Sequence, residues 1–230
     1  MRVTSKPGDI VSDRNAVLVI AGSDSSGGAG IARDIPVLTE CGVDALCAIT
    51  AVTAQTNSRT GNIHHVPPAT IREQIAAAFA TRTVDAIKIG MLGSAATVEA
   101  VVASLPESIP PMVIDPVLVA SSGGILLDDQ GVEAMRRYLL PRTTLFTPNI
   151  PEAATLLNEP EANDVTAMIE QAQRLLQIGP RAVLLKGGHA VGADAVDVLV
   201  LSDGDSLILA SPRSPLRRRG TGCAFASAAA

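Results

Sequence analysis

The chain has 230 residues, a formal net charge of −5, 47% hydrophobic residues and only 2% aromatics. That length and apolar fraction can bury one large core, filled mainly by Val, Ile, Leu and Ala. The mild negative charge excludes a broad basic surface for nucleic acid, and no apolar run approaches the length of a membrane span.

Residues 1–15, MRVTSKPGDIVSDRN, are polar and broken by Pro7 and Gly8. They lack the apolar stretch of a secretion signal and are expected to form a flexible N-terminal segment. A single domain is expected over residues 16–230. AVLVIAG (16–22) is an apolar run ending in glycine, which reads as a buried strand. ALCAITAV (45–52), AIKIGM (86–91), PMVIDP (111–116), TLFTPN (144–149) and AVLLKGG (182–188) repeat that form. Continuous apolar strands are covered on both faces, which favours a parallel sheet between helices.

Helical patterns lie between these runs. TIREQIAAAFATR (70–82) sets Ile71, Ile75 and Phe79 on one face. Val98, Val101, Val102 and Leu105 form a second stripe, and Val132, Met135, Leu139 and Leu140 a third. Asp164 is placed to cap a helix closed by Gly179-Pro180, and Pro151 suits a first helical turn at 151–158. Pro36 interrupts the pattern running from about Gly28 to Glu40. A mid-helix proline costs about 3 kcal/mol relative to alanine, so a kink or a late start is expected. DVLVL (197–201) and SLILA (206–210) flank Asp203-Gly204-Asp205, a hairpin signal that predicts one antiparallel edge. Alternating strands and helices make this an α/β, doubly wound, mostly parallel sheet.

In such a sheet, ligands bind beyond the carboxyl ends of the strands. The unusual residues collect there. The first strand ends in AGSDSSGGAG (21–30), whose glycines allow close ligand approach, although neither GxGxxG nor GxxxxGK[ST] is present. TAQTN (53–57) offers Gln55 to a heteroaromatic edge. Asp115 ends one strand and Glu152 follows the next, a pair able to hold Mg²⁺ through its waters. Each carboxylate taken singly also fits a helix cap. Lys186-Gly187-Gly188 sets a positive charge near phosphate.

The chain closes on RRRGTGCAFASAAA (217–230). Backbone N–H groups of Gly220-Thr221-Gly222 at a helix N-terminus form an anion site. Cys223 falls in the first helical turn, where the helix dipole favours a thiolate. The seven residues after it are too few to hold a helix alone, so a poorly ordered or unusually packed last turn is expected. Cys41, Cys47 and Cys223 show neither disulfide nor zinc spacing, and a reducing cytoplasm is expected.

The motifs AGSDSSGGAGI, TAQTN, IKIGML, DPV, TPNIPEA, LLKGGH and GTGC, in this order, resemble those of hydroxymethylpyrimidine/phosphomethylpyrimidine kinases, within the ribokinase-like superfamily. The resemblance runs from about Ala16 to the end. It implies ATP- and Mg²⁺-dependent phosphorylation of 4-amino-5-hydroxymethyl-2-methylpyrimidine and of its monophosphate, and a homodimer. By the resemblance, Gly22, Asp34, Gln55, Met91 and Val117 are pyrimidine-pocket positions. Asp115 and Glu152 take the magnesium and phosphate end, and Asn149, Lys186 and Thr221 the ATP side. Gly220, Gly222 and Cys223 become the anion hole and the catalytic position, with Cys223 as base. Sugar kinases of the superfamily carry aspartate in that slot.

Three departures stand out. Pro36 follows the matching Asp34. Arg219 stands where the family often has histidine, and is placed to contact nucleotide phosphate. Family members also continue past this loop with further helices that cover the sheet. Two alternatives remain open: a pyridoxal or pyridoxamine kinase, and a pyrimidine-binding relative without catalysis.

Overall fold

A computed structural model of the protein describes residues 13–56, 60–120, 123–188, 194–213 and 220–230. The expected flexible segment lies mostly outside the described residues. Its last residue is tied down, because the Asn15 carbonyl accepts from the Asp44 N–H.

The central strands are β1 (Ala16–Asp24), β2 (Asp44–Gln55), β4 (Ala86–Ile89), β5 (Met112–Ile114), β6 (Leu145–Phe146) and β7 (Ala182–Leu185). All pair in parallel. On one flank β3 (Thr60–His65) runs antiparallel to β2, and on the other β8 (Asp194–Leu201) and β9 (Ser206–Pro212) form an antiparallel hairpin. The order is β3-β2-β1-β4-β5-β6-β7-β8-β9. The expected hairpin is present, but the sheet has two antiparallel edges rather than one. TGNIHH carries no apolar run because an edge strand need not be buried on both faces.

Side chains alternate across the pleat. Leu18 and Ile20 of β1 enter a large core with Ile71 and Ile75 of α2 (Pro68–Thr81) and Val98 and Val101 of α3 (Ala95–Ser104). Further along, Phe146, Val183 and Leu185 meet Ala153 and Leu156 of α5 (Ile150–Leu157) and Met168, Ala172 and Leu175 of α6 (Val165–Leu176). Val17, Val19 and Ala21 point the other way, onto Ile31 and Leu38 of α1 (Ile31–Glu40). The stripe at 132–140 is not one regular helix: α4 (Asp129–Ala134) passes into a π turn over Met135–Leu139 and a 3₁₀ turn over Leu140–Arg142.

Asp164 caps α6 through the Ala167 N–H at 2.8 Å, as its spacing predicts. α1 starts at Ile31, later than the sequence pattern, and carries Pro36 on its exposed side. Proline has no N–H to give the Ala32 carbonyl, and the solvent face is where such a loss costs least.

The last helix, α7 (Thr221–Ala229), is packed rather than loose. Ala226 and Ser227 are buried, and Ala230 packs against the Val17–Val19 side of the core. Tertiary burial supplies what nine residues cannot supply by themselves.

Candidate functional site

The strand order reverses at β1: the chain moves from β1 to β2 on one side, then returns to β4 on the other. The crevice between β1 and β4 is therefore the switch point where such sheets bind ligands. Gly22 and Met91 both reach it. A Cβ on Gly22 would stand 2.9 Å from the Met91 sulfur, so the two residues are in direct contact across the crevice and a larger residue would push the methionine aside. Met91 packs with Ala51, Ala120 and Leu126, and Val117 lies against that group. Gln55 is half-buried nearby. Its N–H donates to Ser25 Oγ at 2.8 Å, which ties β2 to the loop after β1. The structure thus brings Gly22, Met91 and Val117 together around one small apolar floor, while the contacts of Gln55 run to Ser25 and Thr53.

Asp34 does not join them as an open contact. It is fully buried, with Oδ2 accepting from Lys88 Nζ at 2.9 Å and Oδ1 from Ser227 Oγ at 2.8 Å. Its position on the inward face of α1 commits both carboxylate oxygens to protein partners.

Two backbone approaches close the site. Gly30 has φ 57°, and a side chain there would strike the Gly22 carbonyl. Gly220, the N-cap of α7, has φ 70°, and a side chain there would strike the Gly28 carbonyl. Glycine is required at both on conformation and space together. The first-strand loop and the final loop are consequently pressed backbone to backbone.

The final loop also faces the charged end of the site. A Cβ on Gly222 would lie 3.1 Å from Lys186 Nζ and 3.3 Å from Asp115 Oδ2. Lys186 and Asp115 form an ion pair of 2.6 Å. Asn149 and Glu152 form a capping box at the start of α5: Glu152 N–H donates to Asn149 Oδ1, and Asn149 N–H donates to Glu152 Oε2. Asn149 is thus first a helix cap. Burial, followed by the charge of Asp115, pushes Glu152 up to about 7 against the pull of Lys186. Burial opposes the charge on Lys186, but Asp115 and Glu152 outweigh it and hold the lysine protonated.

Cys223, the third residue of α7, is buried. Burial pushes its thiol up, and the charges of Asp115 and Asp34 add to that. Lys88 and the Gly30 N–H work in the opposite direction. The shift therefore runs opposite to the thiolate-favouring effect expected of the helix end, and desolvation of the thiolate is its largest cause. Thr221 is exposed at the first helical position, and Arg219 lies outside the described residues.

Among the described residues, no group of three or more His, Cys, Asp or Glu side chains stands ready for a metal. Asp115 and Glu152 fit a magnesium ion that keeps most of its waters, and their mutual repulsion is what a divalent cation would relieve. Lys88 and Ser227 were not singled out by sequence, although Lys88 interrupts an apolar strand and Ser227 follows Cys223 by one helical turn.

No described helix is long and apolar enough to cross a membrane. Residues 24–230 match the phosphomethylpyrimidine kinase family. The chain is 44% identical over 220 residues to the thiamine biosynthesis bifunctional protein ThiED of Geobacter sulfurreducens, covering 94% of this chain and 44% of that protein. It is 37% identical over 214 residues to the hydroxymethylpyrimidine/phosphomethylpyrimidine kinase of Salmonella typhimurium, covering 93% of this chain and 80% of that protein. The chain therefore spans less than half of the first relative and most of the second. The ADP complex of Bacillus subtilis pyridoxal kinase matches with a TM-score of 0.84 at 33% identity, over 93% of this chain and 81% of that one. On the glycine-closed crevice, the GTGC loop and these matches, the chain belongs to the phosphomethylpyrimidine kinase family, ribokinase-like phosphotransferases of thiamine biosynthesis.

Proposed function

We propose that this chain transfers the γ-phosphoryl group of ATP to the hydroxymethyl oxygen of 4-amino-5-hydroxymethyl-2-methylpyrimidine, and then phosphorylates the monophosphate. The observation that carries the reading is the fit of Gly222 against the Asp115–Lys186 pair. It sets an N–H-lined helix start beside a lysine and a carboxylate, where a phosphoryl group in transit needs charge neutralised on several sides.

Each residue has a task in this reading. Gly22, Met91 and Val117 form the floor for a flat heteroaromatic ring, and Gln55 meets its polar edge. Gly220, Thr221 and Gly222 present backbone N–H groups to the moving phosphoryl oxygens. Lys186 offers them a fixed positive charge, and Asn149 orients the start of α5 beside the nucleotide. Asp115 and Glu152 are the pair to hold Mg²⁺ through water. When bound, the ion neutralises phosphate charge. Cys223, as thiolate, accepts the hydroxymethyl proton, helped by Lys88 and the Gly30 N–H. Residues 16–230 act as one catalytic domain of a cytoplasmic homodimer; cysteine usage supports the location and the family resemblance the assembly.

The test is ADP release measured in parallel on the pyrimidine alcohol, its monophosphate and pyridoxal. Preference for the pyrimidines is expected, with both steps present. A strong preference for pyridoxal, or pyrimidine binding without ADP release, would overturn the reading.

A further inference from the structure

We infer that Ser227 and Lys88 are positioning residues for phosphoryl transfer: through Asp34 they lock α7 to the sheet and so aim its N-terminus. The inference rests on the kinase reading above. It starts from a mechanical need. The anion-binding loop is only as well placed as the helix it begins, and α7 has nine residues.

The lock has three members on three elements. Lys88 stands on β4, paired in register with Val19 of β1 and Val113 of β5. Its ammonium and the Asp34 carboxylate are both fully buried, 2.9 Å apart. Asp34 belongs to α1, and its other oxygen accepts from Ser227 of α7 at 2.8 Å. Ser227 is 1% exposed. All three side chains are buried, and the low local dielectric strengthens these hydrogen bonds.

Spacing converts this lock into control of the site. Ser227 follows Cys223 by four residues, so the two lie on one face of α7. Fixing Ser227 fixes the rotation of α7 about its axis. That rotation aims the Cys223 sulfur and the N–H groups of Gly220, Thr221 and Gly222. Misplacing such donors by about 1 Å can cost a hundredfold in rate. The lock does not form the apolar floor at Met91, so ring binding is expected to survive its loss.

The predicted signature is a split between kcat and KM. Ser227→Ala lowers kcat by at least about tenfold, with KM for the pyrimidine alcohol within about twofold. Ser227→Thr keeps the hydroxyl and regains most of the rate, whereas Ser227→Cys keeps the volume, weakens the donor and resembles Ser227→Ala. Lys88→Met lowers kcat in the same direction. Wild-type kcat in Ser227→Cys with a low kcat in Ser227→Thr would show that volume matters and would overturn the inference. So would a rise in KM at unchanged kcat, which would instead make Asp34 a ring contact. The wild-type chain in the same assay separates the two readings: no ADP release from it sinks the kinase reading, while an active wild type with an unaffected Ser227→Ala sinks only the lock.

Discussion

The interior of the sheet and its β9 edge are built on opposite terms. Around β1 and β4 both faces are covered, and the loops are held by neighbours: Gly30 against Gly22, Gly220 against Gly28, and Gly222 against Lys186 and Asp115. At the edge, every residue of β9 is exposed, with Leu207 at 55%, Ile208 at 53% and Leu209 at 42%. The difference shows where this fold concentrates its constraint. Close backbone contacts hold the loops that carry the fixed donors, whereas β9 is held by its ladder to β8.

Substitutions test that contrast, and the largest effect is expected in the crevice. Cys223→Ala should lower turnover by about 10²–10⁴-fold while pyrimidine binding persists, as removal of a proton acceptor does. Nearly full turnover in this variant would remove that role. Because burial raises the thiol, wild-type kcat should also climb on the alkaline side, and that limb should vanish in Cys223→Ser. Gly222→Ala comes next. The added methyl must displace Lys186 or Asp115, so a fall in kcat of about tenfold or more is expected, with the fold intact by circular dichroism.

A smaller effect reports on the charged end. Glu152 is raised from 4.5 to about 7 in the folded chain, so between those values the native state holds a proton that the unfolded state has lost. Stability of the metal-free chain should therefore fall as pH rises through that window. Thermal melts in a chelator should show the slope. Glu152→Gln should flatten it, because glutamine preserves the capping box without the charge. An identical slope in the variant would assign the effect to another group.

The smallest effect is expected at the opposite edge. Leu207→Lys should leave kcat and KM unchanged and shift stability by no more than about 0.5 kcal/mol. It should also reduce self-association measured by light scattering, since charge on an edge strand opposes edge-to-edge pairing. A loss of turnover there would break the separation between the two regions.

Much of this was legible in the sequence, for physical reasons. Burial on both faces makes β1, β5 and β7 continuous apolar runs, and their polar ends mark the ligand side. The pattern at 60–65 carries no such run, so β3 stays hidden until the chain is folded. Asn149-x-x-Glu152 is a readable capping box, yet the strand end beside it drew attention to phosphate and metal instead. Lys88 was invisible as a site residue because its partner, Asp34, lies 54 positions away and only tertiary structure brings them together. The direction of the Cys223 shift was missed for the same reason. Helix position is local, whereas the burial that dominates the thiol is not.

The Ser227–Asp34 hydrogen bond joins residues 193 positions apart. It gives the site a place in the order of assembly. Loop closure over such a separation is entropically costly and comes after local pairing is in place. The crevice is thus expected to be completed last, when the final helix docks onto the sheet. On the same grounds, α7 should be the first element to undock under mild denaturation, with its amides exchanging before those of β1. Activity would then fade before the fold does.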